Sequence, residues 1–154
     1  MLNTFVPPAI LLQKLTPAAL SQHRLRSILY NFNLYGKMVY LTFKFTNDIL
    51  SPPDGTYLGV KSLQEAIVPA HPDLQTLTLA SQKYEQGVNL HAIELVSEKG
   101  KFIDLKPLVW TPTICRKESL EVQPGERIVS ARVQVDKRNR EHPCSVSFLI
   151  YNFI

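Results

Sequence analysis

The sequence predicts an all-β domain of antiparallel strands, in a prism, sandwich or barrel, behind a short N-terminal helix and extension. Three observations carry this expectation. Short segments alternate apolar and polar residues with the two-residue period of a half-buried strand. Eleven prolines and six glycines divide 154 residues into many short pieces, which favours strands over long helices. The C-terminal stretch 120–154 reads as one long hairpin, with Pro124-Gly125 as its leading turn. A chain of 154 residues fits one domain with a substantial core.

Residues 1–36 read as the extension. Pro7-Pro8 rules out a regular element near the start. Thr16-Pro17 suits a helix start, with Thr as cap and Pro in the first turn. Leu20, Leu25, Ile28 and Leu29 then supply an apolar helical face, so a helix is expected over 17–30. From 37 to 154 the pattern is β. Val39, Leu41, Phe43 and Phe45 alternate with Tyr40, Thr42, Lys44 and Thr46. Ser51-Pro52-Pro53-Asp54-Gly55 is a turn cluster. Ser62 and Glu65 have capping-box spacing, predicting a turn or two of helix before Pro69.

Residues 74–80 alternate again as a strand. Residues 88–97 follow, with Leu90, Ala92, Glu94 and Val96 expected on one face and Asn89, His91, Ile93 and Leu95 on the other. Glu98-Lys99-Gly100-Lys101 is a hairpin turn. Residues 102–110 form an irregular or edge strand, because of Pro107. Residues 114–120 lead into the last hairpin. There Val129, Ala131, Val133 and Val135 alternate with Ile128, Ser130, Arg132 and Gln134. A charged loop, 136–143, precedes the closing strand with Val146, Phe148 and Ile150. The count is about seven strands.

The formal charge is +4, distributed as +4, −3 and +3 over residues 1–50, 51–100 and 101–154. A basic N-terminal third suits nucleic acid or anionic lipid, although a solvated or processed segment is the plainer reading. The first 37 residues contain no Asp or Glu, which fits a mitochondrial-type targeting segment as well as a packed extension. Cytoplasmic residence is the favoured location. Cys115 and Cys144 can pair only if their strands lie side by side; two separate thiols in a reducing compartment is the expectation preferred. No apolar run is long enough to span a membrane.

Three stretches together resemble jacalin-like lectin domains. These are Asn89–Lys101, then Leu120-Glu121-Val122-Gln123-Pro124-Gly125-Glu126-Arg127-Ile128, then Val146-Ser147-Phe148-Leu149-Ile150-Tyr151-Asn152. An upstream echo, Tyr35-Gly36-Lys37 to Asn47 followed by Gly55–Gly59, is similar to that family's closing strand and its glycine-rich exit. The chain then reads as a divergent, permuted or truncated unit. The resemblance covers most of 35–152. It implies a β-prism of three antiparallel sheets, non-enzymatic and binding carbohydrate or glycoprotein. It also implies a sugar site built from a glycine amide and a loop of the form Gly-x-aromatic-x-Asp before the last strand. Sugar hydroxyls need a carboxylate acceptor and backbone donors, with an aromatic ring under the C–H face. The corresponding loop, 136–145, has neither glycine nor aromatic; the upstream turn has Tyr35 and Gly36 but no Asp.

The candidate ligand-binding residues are therefore Tyr35, Gly36, Asp136, Asn139 and Glu141. The last three share their loop with Lys137, Arg138 and Arg140, and a solvated hairpin tip is the plain alternative. No cofactor is expected. His142 and Cys144 lack the paired spacing of a zinc site, and Cys144 with His91 or His142 has no nucleophile signature around it. No phosphate-cradling glycine loop, H-E-x-x-H or G-x-S-x-G is present. The alternative function is a structural or protein-interaction subunit that has lost sugar binding and docks through its N-terminal extension. Nucleic-acid binding through Arg24, Arg26, Arg132, Arg138 and Arg140 ranks last.

Overall fold

The computed structural model describes residues 2–3, 24–46, 63–70, 73–84, 87–107, 116–139 and 142–152. They hold ten strands: β1 (Leu2–Asn3), β2 (Leu25–Phe32), β3 (Met38–Phe45), β4 (Gln64–Ile67), β5 (Thr76–Tyr84), β6 (Gly87–Ser97), β7 (Gly100–Leu105), β8 (Arg116–Glu121), β9 (Glu126–Asp136) and β10 (His142–Asn152). The strands form three sheets, ordered β1-β10-β9, β3-β2-β4 and β7-β6-β5-β8. Every pairing is antiparallel except β1 with β10. Each sheet contributes one long hairpin: β9–β10, β2–β3 and β5–β6 respectively.

The core lies between the sheets and is made of alternate residues from each. Leu41, Phe43 and Phe45 of β3 are buried beside Leu25 and Ile28 of β2. Leu77 and Leu79 of β5 pair with Leu95 and Ile93 of β6, and all four are fully or almost fully buried. Ala131 and Val133 of β9 pair with Phe148 and Val146 of β10. Phe43 and Phe148 meet edge to face, centroids 5.3 Å apart at 80°, joining two sheets through the quadrupole-favoured geometry.

Two expected helices are strands. The helix expected over 17–30 is replaced from Leu25 onward by β2; residues 17–23 lie outside the described residues. Arg26 is a bulge between the Leu25–Phe45 and Ser27–Lys44 pairs. The extra residue lets Leu25 and Ile28, three apart, face the same core, which imitates helical spacing. β2 thus joins residues assigned to the extension to the β domain, through β3. The capping-box segment is also extended. Gln64–Ile67 is β4, paired along β2 from Tyr30 to Ser27, so sheet pairing overrides a weak local helix signal. These two segments and the two-residue β1 account for the difference between the seven strands expected and the ten described.

Candidate functional site

The three long hairpins turn at the same end of the molecule. The first turn, Asn33–Lys37, is fixed by its own backbone. Asn33 N–H donates to Lys37 O at 2.9 Å and Gly36 N–H to Asn33 O at 3.1 Å. The Asn33 Oδ1 accepts the amides of Tyr35 and Lys37 at 2.9 and 3.0 Å. Gly36 takes φ 80°, the left-handed conformation that closes such a turn into a strand. Leu34 and Tyr35 at the tip are 95% and 86% exposed.

β6 connects this turn to the other two. A register shift between the Ala80–Ala92 and Ser81–Leu90 pairs makes His91 a bulge. The face assignment expected from plain alternation changes there. Leu90 joins Ile93 and Leu95 in the core, and His91 is re-aimed. His91 Nδ1 lies 3.2 Å from Gly36 O. A carbonyl only accepts, so Nδ1 carries the proton and Nε2 accepts from Tyr84 OH at 2.8 Å. Burial pushes the His91 pKa below its ordinary 6.5, against the Gly36 hydrogen bond and with help from the Lys37 charge. Lys37 Nζ sits 4.1 Å over the Tyr84 ring, a cation–π contact that ties the first turn to the second.

Asn89, fully buried, holds the third turn. Its Nδ2 donates to Met38 O and Leu90 O, each at 3.0 Å. Its Oδ1 accepts from His142 Nδ1 at 3.1 Å, which fixes the proton of His142 on Nδ1. Asp136 closes the arrangement. Its Oδ2 accepts Val88 N–H at 3.1 Å and its Oδ1 accepts Arg138 N–H at 3.0 Å, with Arg138 Nε at 3.4 Å. These donors hold the Asp136 pKa below its ordinary 3.8, the Val88 bond first, against the opposing effect of burial. Gly87 is needed beside it. Its φ is 135°, and a Cβ there would overlap Asp136 Oδ2.

The structure therefore brings Tyr35, Gly36 and Asp136 to one end. Asn139 ends the 3-10 turn Lys137–Asn139 of the same loop; its side chain, like Glu141, lies outside the described residues. About three of the four lone-pair positions of the Asp136 carboxylate are already taken, one by the Val88 amide of β6 and two by Arg138 of its own loop. Sequence reasoning missed Gly87, Asn89 and His142 as organisers of this end. The lone glycine before an alternating strand was the available signal for Gly87. Burial, then the Asp136 charge, push the Cys144 thiol pKa up, away from the thiolate that a nucleophile needs, and its Sγ lies 3.4 Å from Gln134 O. A cavity of about 910 Å³ occupies the opposite end, between Leu25, Val68, Leu74, Glu98, Val122 and Ile128. None of the sequence-predicted site residues lines it.

No protein-family profile matches the sequence, and no curated relative matches it. Solved structures do match in shape. AcmJRL, a mannose-binding jacalin-related lectin from Ananas comosus, superposes with a TM-score of 0.56 at 13% identity, over 84% of this chain and 83% of that one. The Calystegia sepium agglutinin superposes with a TM-score of 0.55 at 14% identity, again over 84% and 83%. With three sheets, an antiparallel hairpin from each converging at one end, and these two likenesses, the chain has the jacalin-like β-prism fold.

Proposed function

We propose that the chain is a non-catalytic binding module that takes carbohydrate at the three-turn end. The observation that carries this reading is the junction of the Gly36 turn with the Asp136 loop through Asn89 and His91. It sets an exposed Tyr35 ring, a glycine turn and a carboxylate loop on one rigid end. An aromatic face and polar acceptors are what a sugar ring requires. Support comes also from the fold, which AcmJRL uses while being described as mannose-binding; mannose is thus the first ligand to test.

On a glycan array the chain is expected to give a signal that Tyr35→Ala removes and Lys101→Ala leaves intact. Lys101 is on β7, bonded to Glu94 on the outer sheet face. A second reading, a protein-interaction module, is favoured by Leu34, which offers sugar hydroxyls nothing, and by the engagement of Asp136 with its own loop. A blank array together with a protein captured in a Tyr35-dependent pull-down would replace the first reading by the second.

A further inference from the structure

Leu34 and Tyr35 are held out into solvent rather than left loose there. The four hydrogen bonds within Asn33–Lys37 set the shape of the turn, and His91 and Tyr84 fasten it to the body. Two adjoining large apolar side chains on so fixed a tip gain nothing from the rest of the fold.

Cations stand at the same end. Lys83 at the end of β5 and Lys137 in the β9–β10 loop are exposed, the Arg138 side chain is 81% exposed, and Lys37 lies over Tyr84. Among the described residues the carboxylate at this end is Asp136, only 10% exposed and already bonded to Val88 and Arg138. By sequence, residues 33–38, 83–87 and 136–142 together hold five Lys or Arg and three Asp or Glu.

We propose that this end docks on an anionic phospholipid surface. Leu34 and Tyr35 enter the interface, and Lys83, Lys137 and Arg138 face the headgroup phosphates. Apolar insertion and attraction to anionic lipid add in such binding, and Tyr is at home at the headgroup level. A convex tip suits a fluid layer that closes around it; a protein partner would need a preformed pocket. Nucleic acid would use the cations but not Leu34. The inference rests on the same end as the carbohydrate reading, but needs no sugar.

The test is co-sedimentation with glycan-free vesicles of mixed phosphatidylcholine and phosphatidylserine, against phosphatidylcholine alone. The chain should pellet with the mixed vesicles and be released by salt. Lys137→Gln should weaken partition about fivefold, the worth of one basic residue near such a surface. Leu34→Ser should weaken it about tenfold, with an unchanged melting curve as the control for folding. Equal binding to phosphatidylcholine alone, or a Leu34→Ser partition like that of the parent, overturns the proposal. Vesicles left unbound beside a positive glycan array remove this inference and leave the carbohydrate reading standing. The converse result does the opposite.

Discussion

His91 holds one proton, on Nδ1, and donates it to the Gly36 carbonyl while Nε2 takes the Tyr84 hydroxyl. A second proton would place a cation in a buried site beside Lys37. The folded-state pKa is lowered from 6.5, chiefly by burial. The unfolded chain therefore takes up the proton first as pH falls. The stability linked to His91 is complete above about 6.5 and is lost as pH drops through that value toward the lowered one. Melting temperature followed against pH should fall just below 6.5, and His91→Gln should flatten that part of the curve. An identical slope in the variant would place the effect elsewhere. Asp136 acts on the same principle in a lower window. Its bonds are intact above 3.8 and are lost as acid protonates it.

At the scale of elements, β6 is the strand that organises the three-turn end. It touches the first turn through His91 and Asn89, and the third through Asn89 and the Val88 amide. Asn89→Leu keeps the branched shape of the side chain but leaves the Met38 carbonyl and the His142 Nδ1–H without this partner. The expected cost is about 1–3 kcal/mol, read from urea unfolding, with exchange of the His142 ring proton as a local reporter. The strands that alternate cleanly were legible in the sequence: Leu41, Phe43 and Phe45 of β3, and Val133 with Val146 and Phe148 of the last hairpin. β2 was not, because its bulge at Arg26 spaces Leu25 and Ile28 like a helix. The faces of β6 were misread at His91 for the same reason. Bulges are set by the partner strand, so a single strand's pattern does not display them. The family resemblance singled out Tyr35, Gly36 and Asp136, but did not show that their turns share one end. Asn89 was not legible, since a polar residue in a strand signals neither a buried junction nor its partners some fifty positions away.

Across the whole molecule, the core and the proposed contact residues are separately housed. The core runs between the sheets, from Phe43 and Phe148 to Leu77 and Leu95, whereas Leu34 and Tyr35 stand outside it at one end. Replacing Leu34 and Tyr35 together by Ser should change unfolding free energy by no more than about 0.5 kcal/mol, as for ordinary surface positions, while removing ligand binding. Phe148→Ala should lower the unfolding free energy by about 3–5 kcal/mol. Chemical denaturation of both variants checks the contrast, and a strongly destabilised tip variant would contradict it.

Each of the three terminal turns comes from a different sheet. An insertion in one turn therefore does not shift the register of the strands that carry the other two. Used as a display scaffold, the molecule offers variable segments that can be randomised one after another, in the way antibody loops are varied on a fixed frame. The frame that such a library must leave untouched is small: Gly87, Asn89, His91 and Asp136.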